Sequence, residues 1–187
     1  MSTPARILAF SGSARKDSLN RKLLAAICHA VEAAGGKVTL LDLNEYGLPL
    51  YHGDLEEAEG LPANAMKLIK LVQSHAGLLI ASPEYNSFIT PLLKNTIDWI
   101  SRAEENPFVG KVAGVVSASP GALGGSRSLQ HARHMLLGMG CHVAPAQCIL
   151  PKAHEAFDSQ GVLTHSRSQK SVETLANQLV DLVRKLG

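Results

Sequence analysis

The feature that most constrains this chain is the alternation of short, continuous apolar runs with segments of helical period. The run at residues 7–10, Ile-Leu-Ala-Phe, comes first, and Ser11-Gly12-Ser13 follows it. After Asn20, the apolar residues Leu23, Leu24, Ile27 and Val31 share one helical face, and Gly35-Gly36 stops that helix. Residues 37–41 make a second strand that ends at Asp42, and residues 43–62, with Gly, Pro and acids, read as an irregular connection. A helix over about 62–74 leads to a third run at 77–81, which Pro83 ends. The next helix covers 90–102 and the fourth strand 111–117. Gly124-Gly125-Ser126 opens a helix carrying Leu129, Ala132, Leu136 and Met139 on one face. A fifth strand over 142–150 precedes a last helix with Val172, Leu175, Ala176, Leu179, Leu182, Val183 and Leu186 at spacings of three and four.

Five strands, each followed by a helix, imply parallel pairing through right-handed crossovers. The strands are continuous rather than alternating in polarity, as expected when helices cover both faces. The predicted class is α/β: an open, doubly wound three-layer sandwich with a five-stranded parallel sheet in the order 2-1-3-4-5. The 187 residues show no internal repeat, low-complexity tract or linker, so residues 1–187 are expected to form one domain. Hydrophobic residues make up 45% and charged residues 18%, which excludes a disordered chain. With 18 Lys+Arg against 16 Asp+Glu, the balance is +2, so there is no broad electrostatic footprint for nucleic acid. No stretch approaches the ~18 continuous apolar residues of a membrane span. Residues 1–6 lack the basic and apolar regions of a secretory signal. Cys28, Cys141 and Cys148 are odd in number and form no CxxC, so they read as buried thiols of a reducing, cytoplasmic compartment.

In such sheets, ligands bind beyond the carboxyl ends of the strands, so the segments after strands one, three and four matter most. The first, residues 11–20, is rich in hydroxyls and ends at a helix start, whose N–H groups can hold a phosphate. Ser13, Ser18 and Asn20 can add side-chain donors and Arg15 a charge-assisted one. The same residues equally suit a capped turn. The segment is neither GxxxxGK[ST] nor GxGxxG, although Asp42 stands where a dinucleotide-binding domain places its ribose acid. In the second segment, Pro83 stiffens the strand exit and the N–H groups after it, with Asn86, can face a planar heterocycle that Tyr85 walls. An ordinary turn is the alternative. In the third, Gly121, Gly124 and Gly125 let backbone approach a ligand, or simply turn a corner.

Other chemistry-bearing residues have simpler readings. His131 and His134 are three apart on a helix but have no third ligand at recognisable spacing, so no metal site is expected. The cysteines suit core packing rather than nucleophilic work. Trp99 suits either the core or a subunit contact.

Taken together, Gly12-Ser13-x-Arg15-x-x-Ser18-x-Asn20, then Pro83-Glu84-Tyr85-Asn86, then Gly121-x-x-Gly124-Gly125-x-Arg127 resembles the NADPH-dependent FMN reductase family, which includes bacterial quinone and chromate reductases. The likeness spans nearly the whole chain. It implies a flavodoxin-like fold with FMN bound non-covalently. Ser13, Arg15, Ser18, Leu19 (by its backbone) and Asn20 would hold the phosphate. Pro83, Glu84, Tyr85 and Asn86 would line the isoalloxazine, and Ser117 with Gly121, Gly124 and Gly125 would close its other side. NADPH or NADH would be the electron donor. Quinone, flavin, an azo compound or a metal oxyanion would be the small-molecule acceptor, in a ping-pong cycle that needs no catalytic side chain. The family resemblance also implies a homodimer or homotetramer. The rival expectation is a flavodoxin-like electron carrier without nicotinamide turnover. The phosphate-loop Arg15 and the mildly positive balance argue against it.

Overall fold

The computed structural model describes residues 4–187; Met1, Ser2 and Thr3, part of the segment screened for a secretory signal, lie outside the described residues. The apolar runs become β1 (Ala5–Ser11), β2 (Gly36–Leu41), β3 (Gly77–Ala81) and β4 (Val112–Ala118). They pair in parallel in the order β2-β1-β3-β4, with β5 (His142–Val143) beyond β4. This is the expected 2-1-3-4-5 order.

The fifth strand differs from expectation. It is broken in two: β5 pairs with Val112 and Ala113, and β6 (Cys148–Leu150) pairs with Val116, Ser117 and Ala118 of the same β4. Between the halves, Pro145 has no N–H to give to a ladder. The Ala146 N–H turns to the side chain of Gln178 at 2.6 Å instead. The connection over 43–62 also differs. It contains a 3-10 turn (Leu43–Tyr46) and a helix, α2 (Gly53–Glu59). No residue of α2 is buried, so it has no apolar stripe for periodicity to detect. Its acids at Asp54 and Glu56 in the first turn, and Gly60 after its end, were the available signal.

The remaining helices are α1 (Leu19–Ala33), α3 (Ala63–Gln73), α4 (Pro91–Ile100), α5 (Ser126–Gly138) and α6 (Ser166–Leu186). Every residue of β3 and β4 is buried. Because side chains alternate along a strand, each buried run feeds two cores. Ile7, Ala9, Leu79, Ala81, Val112 and Val116 meet α1 and α6 on one face. Leu8, Phe10, Leu78, Ile80, Ala113 and Val115 meet α3, α4 and α5 on the other. Trp99 belongs to the core: it is fully buried, and its indole N–H donates to the Pro49 carbonyl at 2.8 Å. The three cysteines are also buried, and burial pushes each thiol up to about 12. No helix among the described residues is long and apolar enough to cross a membrane. This layering leaves the carboxyl ends of β1, β3 and β4 side by side, and three loops leave from that edge.

Candidate functional site

The first loop can lie flat on the edge because residue 12 is glycine. A Cβ there would stand 2.7 Å from the Leu93 Cβ and 2.9 Å from the Thr90 hydroxyl, which itself donates to the Gly12 carbonyl at 2.6 Å. Ser13 is buried, and its Oγ accepts the Arg15 N–H at 3.3 Å. Ser18 caps α1 by accepting the Arg21 N–H at 3.4 Å. The N–H groups of Leu19 and Asn20, in the first turn of α1, have no acceptor among the described residues. The exposed Arg15 side chain likewise has no partner there. Asp42, the ribose-acid candidate, is engaged elsewhere. Burial pushes its carboxyl up, but the Asn44 N–H and the Arg21 guanidinium outweigh that and hold it below the ordinary carboxylate value.

The second loop begins at Pro83, whose carbonyl accepts the Ser128 hydroxyl at 2.7 Å. Tyr85 and Phe88 exchange N–H···O bonds of 3.0 Å, with Asn86 at φ 51° and Ser87 at φ 65° between them. Positive φ at both central residues is the signature of a two-residue type I′ hairpin, and asparagine tolerates its first position. Tyr85 and Phe88 are each about half exposed, and Phe88 packs against His131 with ring centroids 4.4 Å apart and the rings tilted by 46°. The Glu84 side chain turns away from the loop. Its carboxylate accepts the N–H groups of Arg127 at 3.0 Å and Ser128 at 3.2 Å, and so caps α5. The cap position of that helix is Gly125, which has no side chain to do this.

The third loop is tied to the second by buried serines. The Ser117 hydroxyl donates to the Ser82 carbonyl at 2.8 Å, and the Ser82 and Ser128 hydroxyls lie 2.7 Å apart. Gly125 has φ 82°, and a Cβ on it would fall 2.0 Å from the Ser117 Oγ. Gly124 faces Ile149, Leu150 and Pro151 rather than the edge. The Gly121 N–H donates to the Ser119 Oγ at 3.2 Å.

Of the residues singled out in the sequence, Ser13, Arg15, Ser18, Leu19, Asn20, Pro83, Glu84 and Tyr85 converge on one crevice of about 90 Å³. Asn86, Ser117, Gly121, Gly124 and Gly125 do not line it. In their place the third loop contributes Ala118, Ser119 and Pro120, which the sequence reading passed over. Proximity to the carboxyl end of β4 was the only signal for them. A larger hollow of about 520 Å³ lies beyond this loop, lined by solvent-exposed Lys152, His165 and Arg167 among others. The small crevice is the better site, because three strand exits and the unpaired N–H groups of a helix start meet there.

A parallel sheet in this order, with helices on both faces and the loops after β1, β3 and β4 meeting at one crevice, defines the flavodoxin-like class of α/β protein. The sequence pattern of the NADPH-dependent FMN reductase family matches residues 5–155, and the chain belongs to that family. It is 34% identical over 187 residues to an NAD(P)H-dependent FMN reductase of Pseudomonas aeruginosa, covering 100% of this chain and 99% of the relative. It is 31% identical over 178 residues to a quinone reductase of Escherichia coli, covering 90% and 93%. Among solved structures, the flavoenzyme NAD(P)H:(acceptor) oxidoreductase of Paracoccus denitrificans superposes with a TM-score of 0.82 at 28% identity, covering 98% and 99%. The chain is accordingly an NAD(P)H-dependent oxidoreductase of the FMN-using class.

The residues present fit that cofactor. The α1 N–H groups, the hydroxyls of Ser13 and Ser18 and the Arg15 guanidinium, which has no partner among the described residues, suit a dianionic phosphate.

Proposed function

We propose that the chain passes electrons from NADPH or NADH, through one non-covalently bound FMN, to a small acceptor in a ping-pong cycle, with quinones the leading acceptor class. Free flavin, azo compounds and metal oxyanions share the requirement for an electron acceptor that can reach an exposed ring. The observation that carries the reading is the convergence of three loops on one crevice, with a cation and N–H groups at one end that have no partner among the described residues. The names of the relatives as FMN and quinone reductases support it.

In this reading, Ser13, Arg15, Ser18 and the Leu19 N–H hold the phosphate. Pro83, Tyr85 and the backbone of Glu84 border one edge of the ring, with Asn86 holding the turn beyond them, while Ala118, Ser119 and Pro120 border the opposite edge. Ser117, Gly121, Gly124 and Gly125 set the shape of the third loop. The crevice, about 90 Å³ against the roughly 300–1,000 Å³ of small-molecule pockets, would hold part of the flavin, with the rest across its open side. That leaves one exposed ring face for both substrates. FMN supplies the hydride- and electron-transfer chemistry when bound, and the protein supplies orientation and fixed dipoles. No side-chain acid or base is required. We further propose that residues 1–187 work as one cytoplasmic domain and assemble as a homodimer or homotetramer.

The test is direct. Purified protein should be yellow, release about one FMN per chain on heating, and oxidise NADPH or NADH steadily when a quinone is added. A colourless protein that takes up no FMN contradicts the reading. A yellow protein that only a separate reductase can reduce is an electron carrier.

A further inference from the structure

Asn20 is expected, from family resemblance, to touch the phosphate, and its side chain is occupied otherwise. It is the second residue of α1 and only 5% exposed. Its Nδ2 donates to the Ala118 carbonyl at 2.7 Å, and its Oδ1 accepts the Ala118 N–H at 2.9 Å. The amide therefore pairs with both polar groups of one residue, 98 positions away in the chain. The pairing works in one orientation only, since a flipped amide would set oxygen against oxygen and N–H against N–H. Ala118 is the last residue of β4 and begins the third-loop wall of the crevice.

We propose that Asn20 is a positioning residue that straps the phosphate-holding start of α1 to the ring-facing wall after β4. The two ends of the flavin then meet one rigid site rather than two loops that must be ordered separately. This rests on the proposed flavin-binding function. Capping of α1 does not need Asn20, because Ser18 already supplies it. Nor is the sheet held together by the strap, since β4 is paired along its length with β3 and β6. The strap's specific consequence is for the distance between cradle and wall, and hence for both halves of the ligand.

The test compares FMN with riboflavin, which lacks the phosphate, by fluorescence titration of apoprotein. Asn20→Ala should weaken both flavins by a similar factor, about tenfold, as expected when two buried hydrogen bonds no longer hold the wall. Loss for FMN with riboflavin unchanged would make Asn20 a phosphate ligand and overturn the strap. A lower apoprotein melting temperature with both affinities intact would overturn it as well, leaving a merely structural role. Should Asn20→Ala fail to fold, Asn20→Asp keeps the acceptor for the Ala118 N–H and loses the donor to its carbonyl. Read with riboflavin alone, where no phosphate charge intervenes, weaker binding supports the strap and unchanged binding overturns it. Wild-type protein that binds neither flavin would instead overturn the functional reading, and the strap with it.

Discussion

Glu84 offers a sharp test of how the crevice is built, because its family-implied place beside the ring and its observed place at the start of α5 predict different losses. The carboxylate accepts two N–H groups of a helix whose own cap residue is Gly125. Removing a capping side chain costs about 0.5–2 kcal/mol. A carboxylate at a helix N-terminus adds roughly 0.3–1 kcal/mol from the dipole. Glu84 is only partly buried, so water can reach the freed N–H groups. Glu84→Ala should therefore destabilise the apoprotein by about 1–2 kcal/mol, a melting temperature lower by roughly 2–8 °C for a chain of this size. Glu84→Gln keeps an acceptor oxygen and loses the charge, so it should lie between wild type and alanine. Thermal and urea unfolding of apoprotein measure both variants without any ligand present. If neither variant changes apoprotein stability while FMN affinity collapses, the carboxylate serves the ligand and not the helix, and the reasoning fails.

Other consequences are equally concrete. Arg15→Ala should weaken FMN by roughly 10- to 150-fold, from the ~1.5–3 kcal/mol of a hydrogen bond to a charged group, while riboflavin affinity and apoprotein stability stay unchanged. Equal losses for the two flavins would deny Arg15 a phosphate role. His75 is buried, with Nδ1 on the Leu71 carbonyl and Nε2 on the Thr39 hydroxyl, and burial lowers its pKa below the ordinary value. The unfolded chain thus binds the proton more readily, so His75 contributes a loss of stability as pH falls from about 6.5 through the folded-state pKa. Urea midpoints measured across that window should slope less in His75→Leu; an unchanged slope would deny His75 that titration. Cys28, Cys141 and Cys148, with thiols raised to about 12, should resist a thiol reagent in native protein and react after unfolding.

The sheet was legible because its central strands are buried on both faces, which forces the continuous apolar runs of Leu78-Leu79-Ile80 and Val115-Val116. Where burial is absent, as in α2, no apolar stripe remained to read, only the first-turn acids and the closing Gly60. The interruption of the fifth strand was carried by Pro145 alone. Within the site, Ser13, Arg15 and Ser18 were visible because a local loop before a helix makes their placement a matter of short-range geometry. The parts that escaped depend on contacts distant in sequence. Asn20 reaches Ala118, and Glu84 reaches Ser128 44 positions away; neither spacing has a local signature. Side chains that a motif suggests for ligand contact can instead hold the loops that make the contact.

The measurement that bears most directly on the account is an anaerobic one. Protein carrying FMN is mixed with NADPH or NADH without acceptor, and then with quinone. Under the proposed cycle, in which donor and acceptor use one ring face in turn, the yellow colour should fade with nicotinamide alone and return with quinone. Initial-rate plots at several quinone concentrations should then be parallel. Intersecting lines, with no loss of colour until quinone is present, would require both substrates bound together and would contradict the single-face site.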